Sequence, residues 1–301
     1  MKKFLKTLLI FGLLFFVLEK AFYGFLLVAP TVEVDKRLEV VLNGELNKDL
    51  VVFGSSRGAR NIIASQIEDS LNLTAYNLSY PGSDIEFHEF LLKSLLKFNY
   101  HPKDVILVVD DPKELLFSEQ IKFRLDRLYP LSKYRHINDE LIKRGEKSIL
   151  SKIFILSRIN RKNFDLSERT FREIDTIFDD GSMPIASQKP GVDFSFINDV
   201  PKYEIADELD NKRDAFIRFQ NLCVDNNINL HIVFPPNFYK HNNLLEKRFK
   251  EISNTKVSFY VYDTLNPIYK NENYFYDLGH LKKNGAVVFT DEIITYLKTD
   301  M

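Results

Sequence analysis

A chain of 301 residues, 45% hydrophobic with 26 Phe and 14 Tyr, can bury one large core, which excludes a disordered protein. Its net charge of -1 gives no global attraction to nucleic acid, and without a zinc-type Cys/His cluster or an RNA-binding signature no nucleic-acid partner is expected. Cys223 is the only cysteine, so no intramolecular disulfide can form, and its place after Leu222 on an amphipathic stretch predicts a buried structural thiol.

At the amino end, Lys2, Lys3 and Lys6 precede Leu8 to Val28, 21 positions whose only charges are Glu19 and Lys20. As a helix this stretch is roughly 32 Å long, about the thickness of a bilayer hydrocarbon core. Residues 1–30 therefore read as an uncleaved membrane anchor. The three lysines place its amino end in the cytoplasm, which makes the chain a single-pass protein of the cell membrane with the remainder extracytoplasmic. Glu19 and Lys20 are costly in such a span and are the argument against it. A cleaved signal peptide centred on Leu8 to Leu18 is the alternative, although no small-x-small cleavage site follows.

Residues 31–48 form a charged connector with a short helix expected over Val34 to Leu42, and 49–301 form an α/β domain. Leu50 to Phe53 is an unbroken apolar run of strand length, as in a central parallel strand covered on both faces. Gly54 ends it, so Ser55, Ser56 and Arg57 fall beyond the carboxyl end of the strand, where ligands bind in open α/β sheets. Ile62, Ile63 and Ile67 predict one helix over 58–71. A second strand is expected over Leu73 to Leu78, then a tight Pro81-Gly82 turn. Ser83 or Asp84 caps the next helix, whose Phe87, Phe90, Leu91, Leu95 and Phe98 form one apolar stripe. Val105 to Val109 is the third strand and ends on Asp110-Asp111-Pro112.

Residues 113 to about 210 contain no comparable strand and read as a mainly helical insertion. Helices are expected over Glu119 to Leu128, Ile137 to Arg144 and Ser148 to Asn160. Between Lys113 and Arg172, 15 Lys or Arg face 8 Asp or Glu, either an ordinary solvated surface or a docking face for anionic lipid or polymer. Asp179 to Pro201 is a long irregular stretch of the kind that forms lids or connectors. The alternation then resumes: a helix over Lys212 to Asn226, a strand over Leu230 to Phe234 ending on Pro235-Pro236-Asn237, a helix over Leu244 to Ile252, a strand over Val257 to Tyr262, and a last helix over Lys283 to Lys298. Five strands alternating with helices predict an α/β fold with a doubly wound, mostly parallel sheet.

A serine attacks an acyl carbon well only if an imidazole takes its proton, and the imidazole works best when a carboxylate fixes its tautomer. Asp277 and His280, three positions apart in a Gly-containing turn, supply both. Read blandly, Ser55 and Ser56 are turn hydroxyls and Asp277 with His280 a helix cap. His231 is expected in the core, and His88, His101, His136 and His241 at the surface. Arg57 can bind a substrate carboxylate or phosphate, or form an internal ion pair. Two adjacent acids, Asp110 and Asp111, are too few ligands to assign a metal, and no cofactor is assigned.

Gly54-Ser55-Ser56, Gly82 after Asn77, and Asp277-x-x-His280 before the last helix resemble, in order and spacing, the sequence blocks of the SGNH (GDSL-like) hydrolase superfamily. Gly-Ser-Ser is the form found in membrane-anchored members similar to alginate O-acetyltransferases and the D-alanyl lipoteichoic acid transfer protein. The likeness covers roughly residues 49–111 and 212–298. It implies a flavodoxin-like, SGNH-type sheet with Ser56 as nucleophile, His280 as base and Asp277 as its orienter. It also implies backbone N–H groups of Ser56 and Gly82 in an oxyanion hole, and a cofactor-free esterase or O-acyltransferase acting on acyl groups, such as acetyl, of a cell-envelope or exported glycan. A transferase would need a multi-spanning membrane acyltransferase as partner. The family's third block supplies an asparagine to the oxyanion hole, whereas this chain has Asp110-Asp111. Either the acid points elsewhere, or Asn77 or Asn237 substitutes, or the enzyme is slow; Asn237 and Arg57 are also candidates for substrate binding. The alternative is a non-catalytic relative that binds glycan or scaffolds an envelope assembly.

Overall fold

The computed structural model describes residues 1–110, 112–159, 173–187, 195–200 and 202–300. Helices α1 (Lys2–Ala21), α2 (Tyr23–Val32) and α3 (Arg37–Leu42) lead to strand β1 (Leu50–Gly54), then α4 (Ser56–Asn61), α5 (Ala64–Leu71), β2 (Ala75–Asn77), α6 (Ile85–Phe98) and β3 (Asp104–Val108). Short helices α7 (Leu125–Leu128) and α8 (Arg135–Lys143) follow. The chain then runs through α9 (Asp210–Asp225), β4 (Asn229–Phe234), α10 (Asn243–Ile252), β5 (Val257–Val261), β6 (Phe275–Asp277), β7 (His280–Leu281) and α11 (Lys283–Asp300). By internal contacts it divides into two units, Met1–Glu39 with Arg124–Thr170, and Val40–Phe123 with Phe171–Met301.

The second unit is the α/β body. Its five strands are all parallel in the order β2-β1-β3-β4-β5, a common doubly wound order. Every residue of β1 and β3 is buried, as the apolar runs Leu50–Phe53 and Val105–Val108 require, and Asp104 at the start of β3 is bonded to His231. On one face Leu50, Val52, Ile106 and Val108 pack with Ile67 of α5 and Phe289 and Ile293 of α11. On the other, Phe53 meets Phe219 of α9 edge to face at 5.5 Å, and Phe216 and Phe234 both pack on Phe249 of α10. Burying each such side chain is worth about 1.5–3 kcal/mol, which is why helices cover both faces of the sheet. Gly54 pairs with Val108 and Val108 with Val233, so the segments after β1, β3 and β4 leave the sheet at one edge.

Several boundaries differ from those the sequence predicts. The helix expected over 58–71 is two helices, with Ile62 extended between them. Tertiary partners take the backbone groups at the break: Asn77 Nδ2 donates to the carbonyls of Gly58 and Ile62, Thr290 Oγ1 accepts the Ile63 N–H, and Ser182 Oγ accepts the Ala64 N–H. Glu119 to Leu128 is helical only at its end, because Lys122 bonds the Gly82 carbonyl and bridges to Ser83. The described parts of 179–201 are pinned rather than lid-like: Asn77 N–H donates to the Asp180 carbonyl, Met183 N–H to Ala59, and Ile197 bridges to Tyr239. The remainder of that stretch, like Asp111, lies outside the described residues. Cys223 is buried, and burial pushes its thiol up to about 12.

In the first unit, Lys2–Val28 is long and apolar enough, with a mean hydropathy of 1.9, to cross a membrane. Glu19 pairs with Lys20 at 2.9 Å and accepts the Leu156 N–H at 2.9 Å, while Lys20 Nζ donates to the Ile153 carbonyl at 2.6 Å. Those bonds take backbone groups that a helix over 148–160 would need, and only a 3₁₀ turn at Ile149–Lys152 forms among its described residues.

Candidate active site

The turn after β1 separates two adjacent hydroxyls. Ser55 is the N-cap of α4, its Oγ accepting the Arg57 N–H at 3.3 Å, as serine at a helix start commonly does. Ser56 is left free to point elsewhere, and its Oγ lies 2.8 Å from His280 Nε2. Gly58 is required here by space, since a Cβ on it would stand 2.5 Å from Ser79 Oγ.

The imidazole comes from a segment 224 residues further along the chain. β6 and β7 pair antiparallel, Asp277 opposite His280, and the Leu281 N–H donates to Asn61 Oδ1 at 3.0 Å. The same short helix that carries Ser56 therefore anchors the strand that carries His280. Asp277 Oδ1 lies 2.8 Å from His280 Nδ1 and also accepts the Gly279 and His280 backbone N–H groups, each at 3.0 Å. Burial alone would raise the Asp277 carboxyl, but the hydrogen bond and charge of His280 and the two N–H donors outweigh it and hold it at about 2. An anionic acceptor at Nδ1 fixes the tautomer with the proton there, which leaves the Nε2 lone pair for the serine hydroxyl.

Ser56, Arg57, Gly82, Asp110, Asn237 and His280 all line one cavity of about 850 Å³. Gly82 has φ +74°, in the left-handed region that the tight turn needs. Arg57 is buried and spends one guanidinium N–H on the Pro235 carbonyl at 2.9 Å, so it braces the end of β4 as well as facing the cavity. Asn237 is buried beside it, and its Oδ1 has no hydrogen-bond partner among the described residues. Asn77 is a correction. Its amide is consumed by Gly58 and Ile62, its Oδ1 accepts the Ser79 N–H, and it is fully buried, so it has no donor to offer an oxyanion.

Asp110 is among the residues lining the cavity, at 5% exposure, with its Oδ2 buried and unpartnered among the described residues, and its N–H donates to Glu114 Oε2 at 2.8 Å. Behind it lies a buried polar cluster that the sequence did not reveal. His88, expected at the surface, is fully buried on α6 with Nε2 2.8 Å from Ser83 Oγ, and its Nδ1 is 3.9 Å from Glu114 Oε1. Burial, with Lys212 adding to it, holds His88 down at about 3 despite an opposing backbone bond from Gly54. Burial and the neighbouring Asp110 push the Glu114 carboxyl well above its usual range, Asp84 adding to the effect and Lys212 and the Asp110 N–H opposing it. Ser83 donates to the Tyr80 carbonyl at 2.7 Å, so the cluster braces the turn that presents Gly82. His231 sits in the core as expected, bonded to Asp104 and Tyr296.

Four further polar residues line the cavity that sequence reasoning passed over: Arg60, Lys113, Gln120 and Tyr239. Arg60 was within reach, four positions after Ser56 on one helix face, and Tyr239 follows Asn237 by two. Gln120 was not, because only the tertiary contact of Lys122 with Gly82 brings it there. No group of three or more His, Cys, Asp or Glu side chains among the described residues is placed to hold a metal ion. No family model matches the chain, and no curated protein matches it in sequence.

Proposed function

We propose that this chain is a membrane-anchored, extracytoplasmic serine esterase or O-acyltransferase of the SGNH type, which forms an acyl-enzyme on Ser56 and acts on a small O-acyl group of a cell-envelope or exported glycan. The observation that carries the reading is the relay of two 2.8 Å contacts, Ser56 Oγ to His280 Nε2 and His280 Nδ1 to Asp277 Oδ1, open to a cavity at the carboxyl edge of a parallel sheet. The strand order 2-1-3-4-5 and the positions of the serine, glycine and Asp-x-x-His segments around that edge support it.

In this mechanism Ser56 Oγ bonds to the acyl carbon as its proton passes to His280 Nε2, and the carbonyl electron pair moves onto oxygen. Backbone N–H groups of Ser56 and Gly82 hold that oxyanion. The C–O bond to the leaving alcohol then breaks as the alcohol takes the proton from His280. Water, or an acceptor hydroxyl in a transferase, repeats the cycle in reverse. Asp277 stays ionised throughout and stabilises the imidazolium.

The test uses the full chain in detergent with an activated acetyl ester and a serine-directed phosphonate. Labelling on Ser56, lost in Ser56→Ala together with ester turnover, is the expected result. An unlabelled wild type, or equal labelling of the variant, overturns the nucleophile assignment. Asp110 in the cavity favours a second reading, a glycan-binding or scaffolding relative without turnover. Glycan binding unchanged by Ser56→Ala, with no acyl release by wild type, would select it.

A further inference from the structure

The carboxyl end of α1 and the segment after α8 meet in a way that locates the edge of the bilayer. Apolar side chains from Phe4 to Leu18 point outward along α1; the row is broken at Glu19, which is 1% exposed, and resumes only at Tyr23, Leu27 and Val28. Glu19 receives the Leu156 N–H and Lys20 donates to the Ile153 carbonyl, so the chain at 153–156 lies at the depth of residues 19 and 20. That segment is a 3₁₀ turn followed by irregular backbone. Irregular backbone is not tolerated against hydrocarbon, where its polar groups have no partners. The hydrocarbon must therefore end before Glu19.

Ile149, Leu150, Ile153 and Leu156 nevertheless stand 42–63% exposed on that segment, while Ser151 and Ile155 turn inward. Four large exposed apolar residues, on a segment bonded to the candidate span at Glu19 and Lys20, match a surface resting on lipid. Lys152 is exposed among them, as a cation suited to the headgroup layer.

We propose that the membrane boundary falls at Glu19-Lys20, that Phe4 to Leu18 is the membrane-embedded stretch, and that Ile149, Leu150, Ile153 and Leu156 form a second contact which dips into the outer lipid boundary beside it. The span is then 15 residues, roughly 22 Å as a helix and short of a typical core, so the bilayer thins at this point and the dipping side chains fill the margin. The two charges that argued against a span across 8–28 instead mark its end. The inference rests on the membrane-anchor part of the proposed function and is independent of the chemistry at Ser56.

The chain contains no Trp, so single substitutions give clean depth reporters. Full chain carrying Ile153→Trp or Leu156→Trp is reconstituted into phosphatidylcholine vesicles with bromines at shallow or deep acyl positions, alongside Leu9→Trp and Leu27→Trp. The expected result is quenching of both loop reporters mainly by shallow bromines, of Leu9→Trp mainly by deep ones, and none for Leu27→Trp. Loop reporters open to aqueous acrylamide and untouched by bromolipid, in chain that is vesicle-bound, overturn the second contact while leaving the anchor standing. Reporters shielded from both quenchers in a chain of doubled mass place a second copy on this face and overturn it likewise. Deep quenching of Leu27→Trp moves the boundary past residue 28 and overturns the span. A chain that does not enter vesicles overturns the anchor and this proposal together.

Discussion

Asp110 and Ser56 face one cavity and make opposite electrostatic demands. In the proposed mechanism, attack by Ser56 needs positive potential where negative charge develops, and an oxyanion-hole donor is worth about 100- to 1000-fold in rate. A carboxylate beside that oxygen works against it. Asp110→Asn supplies an amide donor of the same shape and removes the charge, so it is expected to raise kcat on an activated acetyl ester at least about tenfold. Steady-state turnover at pH 7 checks this, and an equal or slower variant places the acid away from the reacting oxygen.

The cluster behind Asp110 sets a pH dependence of stability whose sign depends on two opposed groups. His88 has a folded pKa lowered to about 3, so the unfolded chain binds its proton more readily and His88 contributes stability at high pH that is lost as pH falls below the unfolded value near 6.5. Glu114 has a raised folded pKa, so its contribution is present at low pH and is lost as pH rises above the unfolded value of about 4.3. Between those two unfolded values the slopes cancel, and above about 6.5 only the loss from Glu114 remains. Wild type is expected to show a urea midpoint that is flat from about pH 4.5 to 6.5 and falls toward pH 8. Glu114→Gln should abolish the alkaline fall and leave a midpoint that rises through the acidic range, at up to about 1.4 kcal/mol per pH unit. A variant with the wild-type profile would show that Glu114 is ionised in the folded protein.

At the scale of elements, α4, which carries Ser56, is tied at its far end to both β2 and β7. The Asn77 amide holds both carbonyls of the break between α4 and α5, and Asn61 at the end of α4 holds β7. Asn77→Ala leaves two buried carbonyls without partners, at a cost on the order of 2–3 kcal/mol. It should also slow phosphonate labelling of Ser56, because α4 loses its tie to β2. Denaturant unfolding and labelling rate measured on one preparation check both, and a labelling rate unchanged despite lost stability would separate the break from the site.

The strands of the α/β body were legible because continuous apolar runs such as Leu50 to Phe53 have few other uses, and the relay was legible because Asp277-x-x-His280 is a local pattern. What failed to show was long-range. Nothing near Ile62 announces that Asn77 interrupts its helix. Nothing near Ser148 announces that Glu19 and Lys20 will take its backbone bonds. His88 looked like a surface residue because Glu114 and Lys212, which pack around it, come from two other elements. Helical periodicity reports which face of a segment is apolar, and it is silent about a distant side chain that competes for the peptide groups.

For the whole molecule, the pairing of Ser56 with His280 spans most of the chain. The first of these belongs to the second structural segment of the sheet's unit, and the second to the ribbon that immediately precedes the final helix. If Ser56 is the nucleophile as proposed, its hydroxyl stays an ordinary alcohol until these two segments are brought together, so acquiring the fold and acquiring reactivity are expected to coincide.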